Sequence, residues 1–248
     1  MISIAPRNLG ELSCQVGGIG GDTAPQMVCI LCHGFGAPAT DLVPLAHELL
    51  DAEPRLRDVL GFVFPAAPLS LEAQGMPGGR AWWPLDMQRL NAAMMGGELR
   101  DLRQDVPEGL QDARRMMLAL IEELQGITGL SNQQLVLGGF SQGAMLATDV
   151  ALHLAEPAAA LCLLSGTLLA ESVWSSRLDN GWSIPVLQSH GFQDPILPFS
   201  GAEALRDLLS QSGFPVEFIP FTGQHTIPWD VLRRLATWLW ERLESGPV

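Results

Sequence analysis

With 248 residues, the chain is long enough to bury one large core of its own without disulfides or a structural metal. Apolar residues make up 47% of it and charged residues 17%, the reverse of a disordered composition. The net charge of −13 argues against nucleic acid and against an anionic membrane surface as partners. Lysine and tyrosine are both absent, which excludes a lysine Schiff base and a tyrosine general acid.

The opening residues, MISIAPRNLGELSCQ, lack the cationic segment and apolar run of a signal peptide. No apolar stretch approaches the ~20 residues of a membrane span, so no span is expected and the cytoplasm is the default location. The cysteines, Cys14, Cys29, Cys32 and Cys162, lack the dense pattern of a secreted disulfide scaffold, and reduced thiols are expected. Cys29 and Cys32 form a C-x-x-C inside the apolar run MVCILC. A strand there puts residues three apart on opposite faces, so this pair reads as core packing rather than redox or zinc chemistry.

Short apolar runs alternate with longer amphipathic segments along the chain. Strands are predicted at Met27 to Cys32, Val59 to Phe64, Leu135 to Leu137, Ala160 to Leu164, Val186 to Ser189 and Val216 to Ile219. Helices are predicted at Asp41 to Asp51, Glu108 to Gln125, Gln142 to Leu154, Gly201 to Ser212 and Trp229 to Leu243. In the last of these, Leu232, Leu235, Ala236 and Leu239 form one apolar stripe for docking on a sheet. The alternation predicts a single α/β domain over 1–248, with a mostly parallel central sheet and helices on both faces. One region breaks the rhythm. From Pro65 to Val106, about forty residues show weak periodicity, and ordered loops of that length are usually functional. A flap-like insertion is therefore expected at about 66–106, its tryptophans and methionines walling an apolar binding site.

The strongest chemical signal is Gly139-Phe140-Ser141-Gln142-Gly143, a G-x-S-x-G between a predicted strand and a predicted helix. Glycines on either side let the chain turn sharply where side chains would collide with neighbouring elements, and the turn presents the serine hydroxyl. It also puts the Gln142 amide at a helix N-terminus, facing the oxygen of a tetrahedral intermediate. A serine nucleophile needs a base, and the base needs an orienting group. Among the five histidines, His47 and His153 fall within predicted helices, while His33 and His190 end strands before a glycine. His225 lies in TGQHTIPWD, between the last strand and the last helix, and is the expected base. Asp194, in HGFQDPILP after the penultimate strand, is the expected orienting acid, although an aspartate before proline also suits a plain turn. The order Ser141, Asp194, His225 is the order that such a fold requires. A second oxyanion donor is expected from the loop His33-Gly34-Phe35-Gly36, at the Phe35 amide.

The segments HGFGA, GGFSQGA, HGFQDPILP and GQHTIP resemble the phospholipase/carboxylesterase family of the α/β-hydrolases, which includes acyl-protein thioesterases and bacterial carboxylesterases. The resemblance runs from about Cys29 to Trp238. It implies esterase or thioesterase activity on a small-molecule ester or thioester, with Ser141, Asp194 and His225 as triad and the Phe35 and Gln142 amides as oxyanion hole. It makes a homodimer plausible, and it requires no cofactor or metal. Apolar residues expected at the acyl group are Met76, Trp82, Trp83, Ile196 and Leu197, which suit a short to medium chain. The family's W-[FY]-D segment corresponds to Ala81-Trp82-Trp83, but here Pro84 and Leu85 separate Trp83 from Asp86. A longer stretch from Leu90 to Arg103, with its AAMMGG segment, also departs from short family members. Lysophospholipids and acyl-protein thioesters are alternative substrates, peptides a weaker one. A non-catalytic binding protein on the same fold is the rival from another class.

Overall fold

The computed structural model describes residues 2–20, 24–85, 102–178 and 181–246. Ten strands occur among them: β1 (Ile4–Leu9), β2 (Leu12–Gly17), β3 (Met27–Cys32), β4 (Leu60–Pro65), β5 (Leu69–Ser70), β6 (Arg80–Ala81), β7 (Leu135–Phe140), β8 (Ala160–Leu164), β9 (Val186–Gly191) and β10 (Val216–Phe221). The α-helices are α1 (Val43–Ala52), α2 (Leu110–Thr128), α3 (Gln142–His153), α4 (Glu171–Leu178), α5 (Phe199–Gln211) and α6 (Trp229–Ser245). Eight strands form one sheet in the order β1-β2-β4-β3-β7-β8-β9-β10. The pairings β1·β2 and β2·β4 are antiparallel, and all the others are parallel. Strands β5 and β6 make a separate two-stranded ribbon.

The inner parallel strands β3, β4, β7 and β8 read as near-continuous apolar runs because helices cover them on both faces, whereas β9 and the outer β10 carry polar residues. Their side chains alternate between two clusters. Val28, Ile30 and Cys32 of β3 face the core shared with α2, α3, α4 and α5, while Met27, Cys29 and Leu31 face α1 and α6. The C-x-x-C pair is thus divided by the sheet. Burial raises all four thiol pKa values, that of Cys162 to about 12, and no disulfide links them. The predicted stripe of α6 lies against the sheet, with Leu232, Leu235, Ala236 and Leu239 all buried. Helix α3 is buried on every side from Gln142 to Leu152, and the one charged group in that span, Asp149, is paired with Arg114 and with the Trp174 indole.

The predicted strands and helices all appear, with ends shifted by a few residues. The β1–β2 hairpin and α4 are additions. β1 is an edge strand, mostly exposed and carrying Pro6, so it offers no apolar run. Its partner β2 does alternate, burying Leu12, Cys14 and Val16. Gly10, at φ 54°, takes the first central position of the two-residue loop, where a glycine suits a hairpin turn. The insertion expected at about 66–106 starts with the β5–β6 ribbon. Residues 86–101 lie outside the described residues, and with them most of the Leu90 to Arg103 stretch.

At the middle of the sheet the backbones approach closely. A Cβ on Gly139 would stand 2.3 Å from the Cys32 carbonyl oxygen, and one on Gly143 would stand 2.0 Å from it. Both obstacles are backbone, so neither can swing aside. Gly143→Ala is expected to destabilise the protein by about 2 kcal/mol or more. Gly126→Ala, in an exposed turn of α2 with nothing within 4 Å of the added carbon, should instead stabilise it by about 0.5–1 kcal/mol. Urea midpoints of the two variants check both signs.

Candidate active site

The glycine contact throws β7 into α3 through a single residue. Ser141 has φ 54° and ψ −119°, a left-handed conformation costly for a side chain-bearing residue and typical of strained functional turns. Its amide donates to the Leu164 carbonyl of β8 at 2.9 Å, which fixes the turn against the neighbouring strand. Gly34 of the β3–α1 loop packs beside it, since a Cβ there would lie 3.4 Å from the Ser141 Cβ.

Asp194 follows β9, and His225 follows β10. The two loops are tied together: the Phe192 amide donates to the Phe221 carbonyl, and the Gln193 amide to the Gly223 carbonyl, both at 2.9 Å. Gly191 allows this approach, because a Cβ would stand 2.4 Å from the Gln224 carbonyl oxygen. From the other side, the buried Ser165 hydroxyl, on a residue at φ 50°, donates to the Thr226 carbonyl at 3.3 Å. Arg234 of α6 clamps the base of β10 through Glu217 at 2.6 Å and also pairs with Glu241.

The Asp194 carboxylate is fully buried and uses both oxygens. Oδ1 accepts from the Ile196 and Leu197 amides at 2.8 and 2.9 Å, which is the turn role its sequence context suggested. Oδ2 is 2.6 Å from His225 Nδ1 and 3.2 Å from His190 Nε2. Burial alone would raise the Asp194 pKa, but the hydrogen bonds from His190 and His225 outweigh it and hold the group well below the usual carboxylate range. An ionised carboxylate can only accept, so His225 Nδ1 carries a proton, and Nε2 of the neutral ring is left with a lone pair. Phe140 packs on that ring with centroids 4.7 Å apart.

Ser141 and His225 border one cavity of about 310 Å³. Phe35 and Gln142 line it as well, and neither amide donates to an acceptor among the described residues. Of the five apolar residues expected at the acyl group, Met76, Ile196 and Leu197 line the cavity, joined by Leu85, Leu102 and Met145. Trp82 and Trp83 do not. Each is 1% exposed, and they sit in the core beneath the site, where their area is removed from water more completely than a pocket wall would allow. That is a correction to the sequence reading.

His33 and His190 are structural. His33 Nδ1 lies 2.8 Å from the Gly34 carbonyl, and Nε2 accepts from the Ala67 amide at 3.1 Å. Burial pushes its pKa down, so the ring is a neutral brace for the Phe35 loop. His190 Nε2 also reaches the Leu197 carbonyl at 2.9 Å, and its buried Nδ1 has no partner among the described residues. Its link to Asp194 was missed in the sequence, although the two residues stand four apart across the Gly191 turn. Among the described residues, no group of three His, Cys, Asp or Glu side chains is placed to hold a metal ion, and no helix is long and apolar enough to cross a membrane.

A mostly parallel sheet with a strained serine between a central strand and a buried helix, and a histidine–aspartate pair on later loops, defines the α/β-hydrolase class. The comparisons narrow it. The phospholipase/carboxylesterase family profile matches residues 19–241. The chain is 34% identical over 187 residues to acyl-protein thioesterase 1 of Eremothecium gossypii, covering 75% of this chain and 74% of that protein. Its fold is similar to that of esterase PE8, with a TM-score of 0.74 at 28% identity over 97% of this chain and 98% of that one. The carboxylesterase of Mesorhizobium loti, at 19% identity and a TM-score of 0.71 over 96% and 98% of the two chains, shares the fold. The chain belongs to the phospholipase/carboxylesterase family. It is a serine hydrolase of the esterase and thioesterase type.

The depressed pKa of Asp194 has a sign that can be checked. A carboxyl whose pKa is lower in the folded than in the unfolded state stabilises the fold above the ordinary carboxylate range, and that contribution is lost as pH falls through the folded value. The stability difference between wild type and Asp194→Asn should therefore be full above about pH 5 and shrink as pH falls below about 4, as read by urea unfolding across the acid range.

Proposed function

We propose that this protein hydrolyses carboxylic esters or thioesters with short to medium apolar acyl groups, through an acyl-enzyme on Ser141. The observation that carries the reading is the 2.6 Å contact of His225 Nδ1 with an ionised Asp194, at the edge of a cavity that also opens on Ser141. His225 Nε2 takes the proton of the Ser141 hydroxyl as its oxygen attacks the acyl carbon. The Phe35 and Gln142 amides receive the negative oxygen, and the positive end of the α3 dipole adds to them. The proton passes to the departing alcohol or thiol as the C–O or C–S bond breaks. Water, giving its proton to the same nitrogen, then attacks the acyl-enzyme, and the acid leaves with Ser141 regenerated. Asp194 keeps the ring in the productive tautomer and stabilises its charged form. The acyl group lies against Met76, Ile196 and Leu197 together with Leu102 and Met145, in a space near the lower end of the range usual for small-molecule sites.

The thioesterase relative supports acyl-protein thioesters as an alternative substrate, and lysophospholipids share the same acyl chemistry. The four buried, unbridged thiols support a reducing compartment, and we assign the protein to the cytoplasm on that ground. The family resemblance makes a homodimer plausible, and sedimentation checks it.

The test is hydrolysis of p-nitrophenyl esters of increasing chain length, with fluorophosphonate labelling and peptide mapping. Turnover should peak at short or medium acyl length, labelling should fall on Ser141, and Ser141→Ala should lose roughly a thousandfold or more in kcat. A wild type that neither turns over nor labels would favour the binding-protein reading.

A further inference from the structure

The two proposed oxyanion donors come from elements far apart in sequence, the β3–α1 loop and the first turn of α3, yet they must lie within a few tenths of an ångström of one geometry to work. The buried side chains of Gln142 and Trp82 span the gap between those elements. The Gln142 carboxamide, on a residue 1% exposed, accepts from the Trp82 amide through Oε1 and donates to the Trp83 carbonyl through Nε2, both at 2.9 Å. One carboxamide thus satisfies both an amide and a carbonyl of that segment, at the bend just after β6. On the other side, the Trp82 indole Nε1 donates to the His33 carbonyl at 2.9 Å. The Gly36 amide donates to the Arg80 carbonyl at 2.9 Å, and the Arg80 amide to the Ala37 carbonyl at 3.1 Å. Segment 80–83 is therefore bonded to the loop on both sides of Phe35 and to the residue that carries the other donor.

We infer that the Gln142 carboxamide and the Trp82 indole are positioning groups for the reaction, and that segment 80–83 is the bracket that sets the separation of the Phe35 and Gln142 amides. This rests on the reading of those amides as the oxyanion hole. Gln142 then serves twice, its main chain toward the substrate and its side chain toward the bracket. Trp82 is held in the core because its single N–H is needed under the loop, which accounts for its absence from the cavity wall.

A bracket that only supports the fold would affect substrate and transition state alike, so the test separates them. Trp82→Phe keeps an aromatic ring in the core but removes the pyrrole portion of the indole together with its one donor. Gln142→Met keeps the chain length and removes both bonds. In each, kcat should fall roughly ten- to hundredfold, with KM within about threefold of wild type. A trifluoromethyl ketone, whose adduct with Ser141 puts an oxyanion in the hole, should weaken by the same factor as kcat. The corresponding alcohol, which cannot form the adduct, should bind as before. The double variant should lose less than the product of the single losses, because both changes open one bracket. If Gln142→Met does not fold, Trp82→Phe alone carries the test. Wild-type kcat and ketone affinity in the variants would overturn the inference, as would equal losses of ketone and alcohol affinity. A wild type that fails to turn over and to label would sink the hydrolase reading and this one with it, whereas an active wild type with wild-type-like variants sinks only the bracket.

Discussion

The arrangement of the site depends on one close approach, that of the β7–α3 turn to the carbonyl of Cys32. With no side chain at Gly139 or Gly143, the turn can sit directly on the end of β3, and the chain has to reverse within a single residue. That residue is Ser141, and its left-handed backbone is the cost of the contact. The same approach seats α3 so deeply that it is enclosed on all sides, and it sets the α3 N-terminus beside the loop that follows β3. Two elements separated by more than a hundred residues are brought together by backbone packing, before any polar contact is considered.

Polar contacts then refine what the packing roughs out. Asp194 distributes its two oxygens between its own turn and the neighbouring loop, so the acid that orients His225 is itself immobilised by main-chain donors. The histidines divide into two kinds by the same logic. His33 and His190 are buried and have carbonyl partners in the interior, His190 sharing the Asp194 carboxylate as well, and serve as braces, while His225 borders the cavity and meets no carbonyl among the described residues. Ring environment separates these roles, and residue type does not.

Much of this was legible in the sequence. Strands covered on both faces, such as β3 and β8, are uninterrupted apolar runs that admit one reading, and the glycines flanking Ser141 signal their own steric reason. Strand β1 was not legible, because an exposed edge strand with a proline makes its bonds through the backbone and leaves no pattern in its side chains. The tryptophans show a different limit. Hydrophobicity says that Trp82 and Trp83 must leave water, but a pocket wall and a core interior satisfy that demand equally. For Trp82 what decides between them is the indole N–H, which needs an acceptor, and the acceptor is the His33 carbonyl, brought close only by the fold. His190 was overlooked for a related reason, since its bond to Asp194 crosses a turn whose shape local sequence does not fix.

The placement of the strands also divides the labour of the site unequally. Ser141 hangs from β7, in the middle of the sheet and paired on both sides, whereas His225 follows β10, which among the described residues pairs only with β9 and is half-exposed along most of its length. Outer strands open at lower free energy than inner ones. On the proposed reading of His225 as the base, loosening of that one edge would withdraw the histidine while the serine turn and most of the core stayed in place, so on warming the chain is expected to fall silent as a catalyst before it melts as a fold.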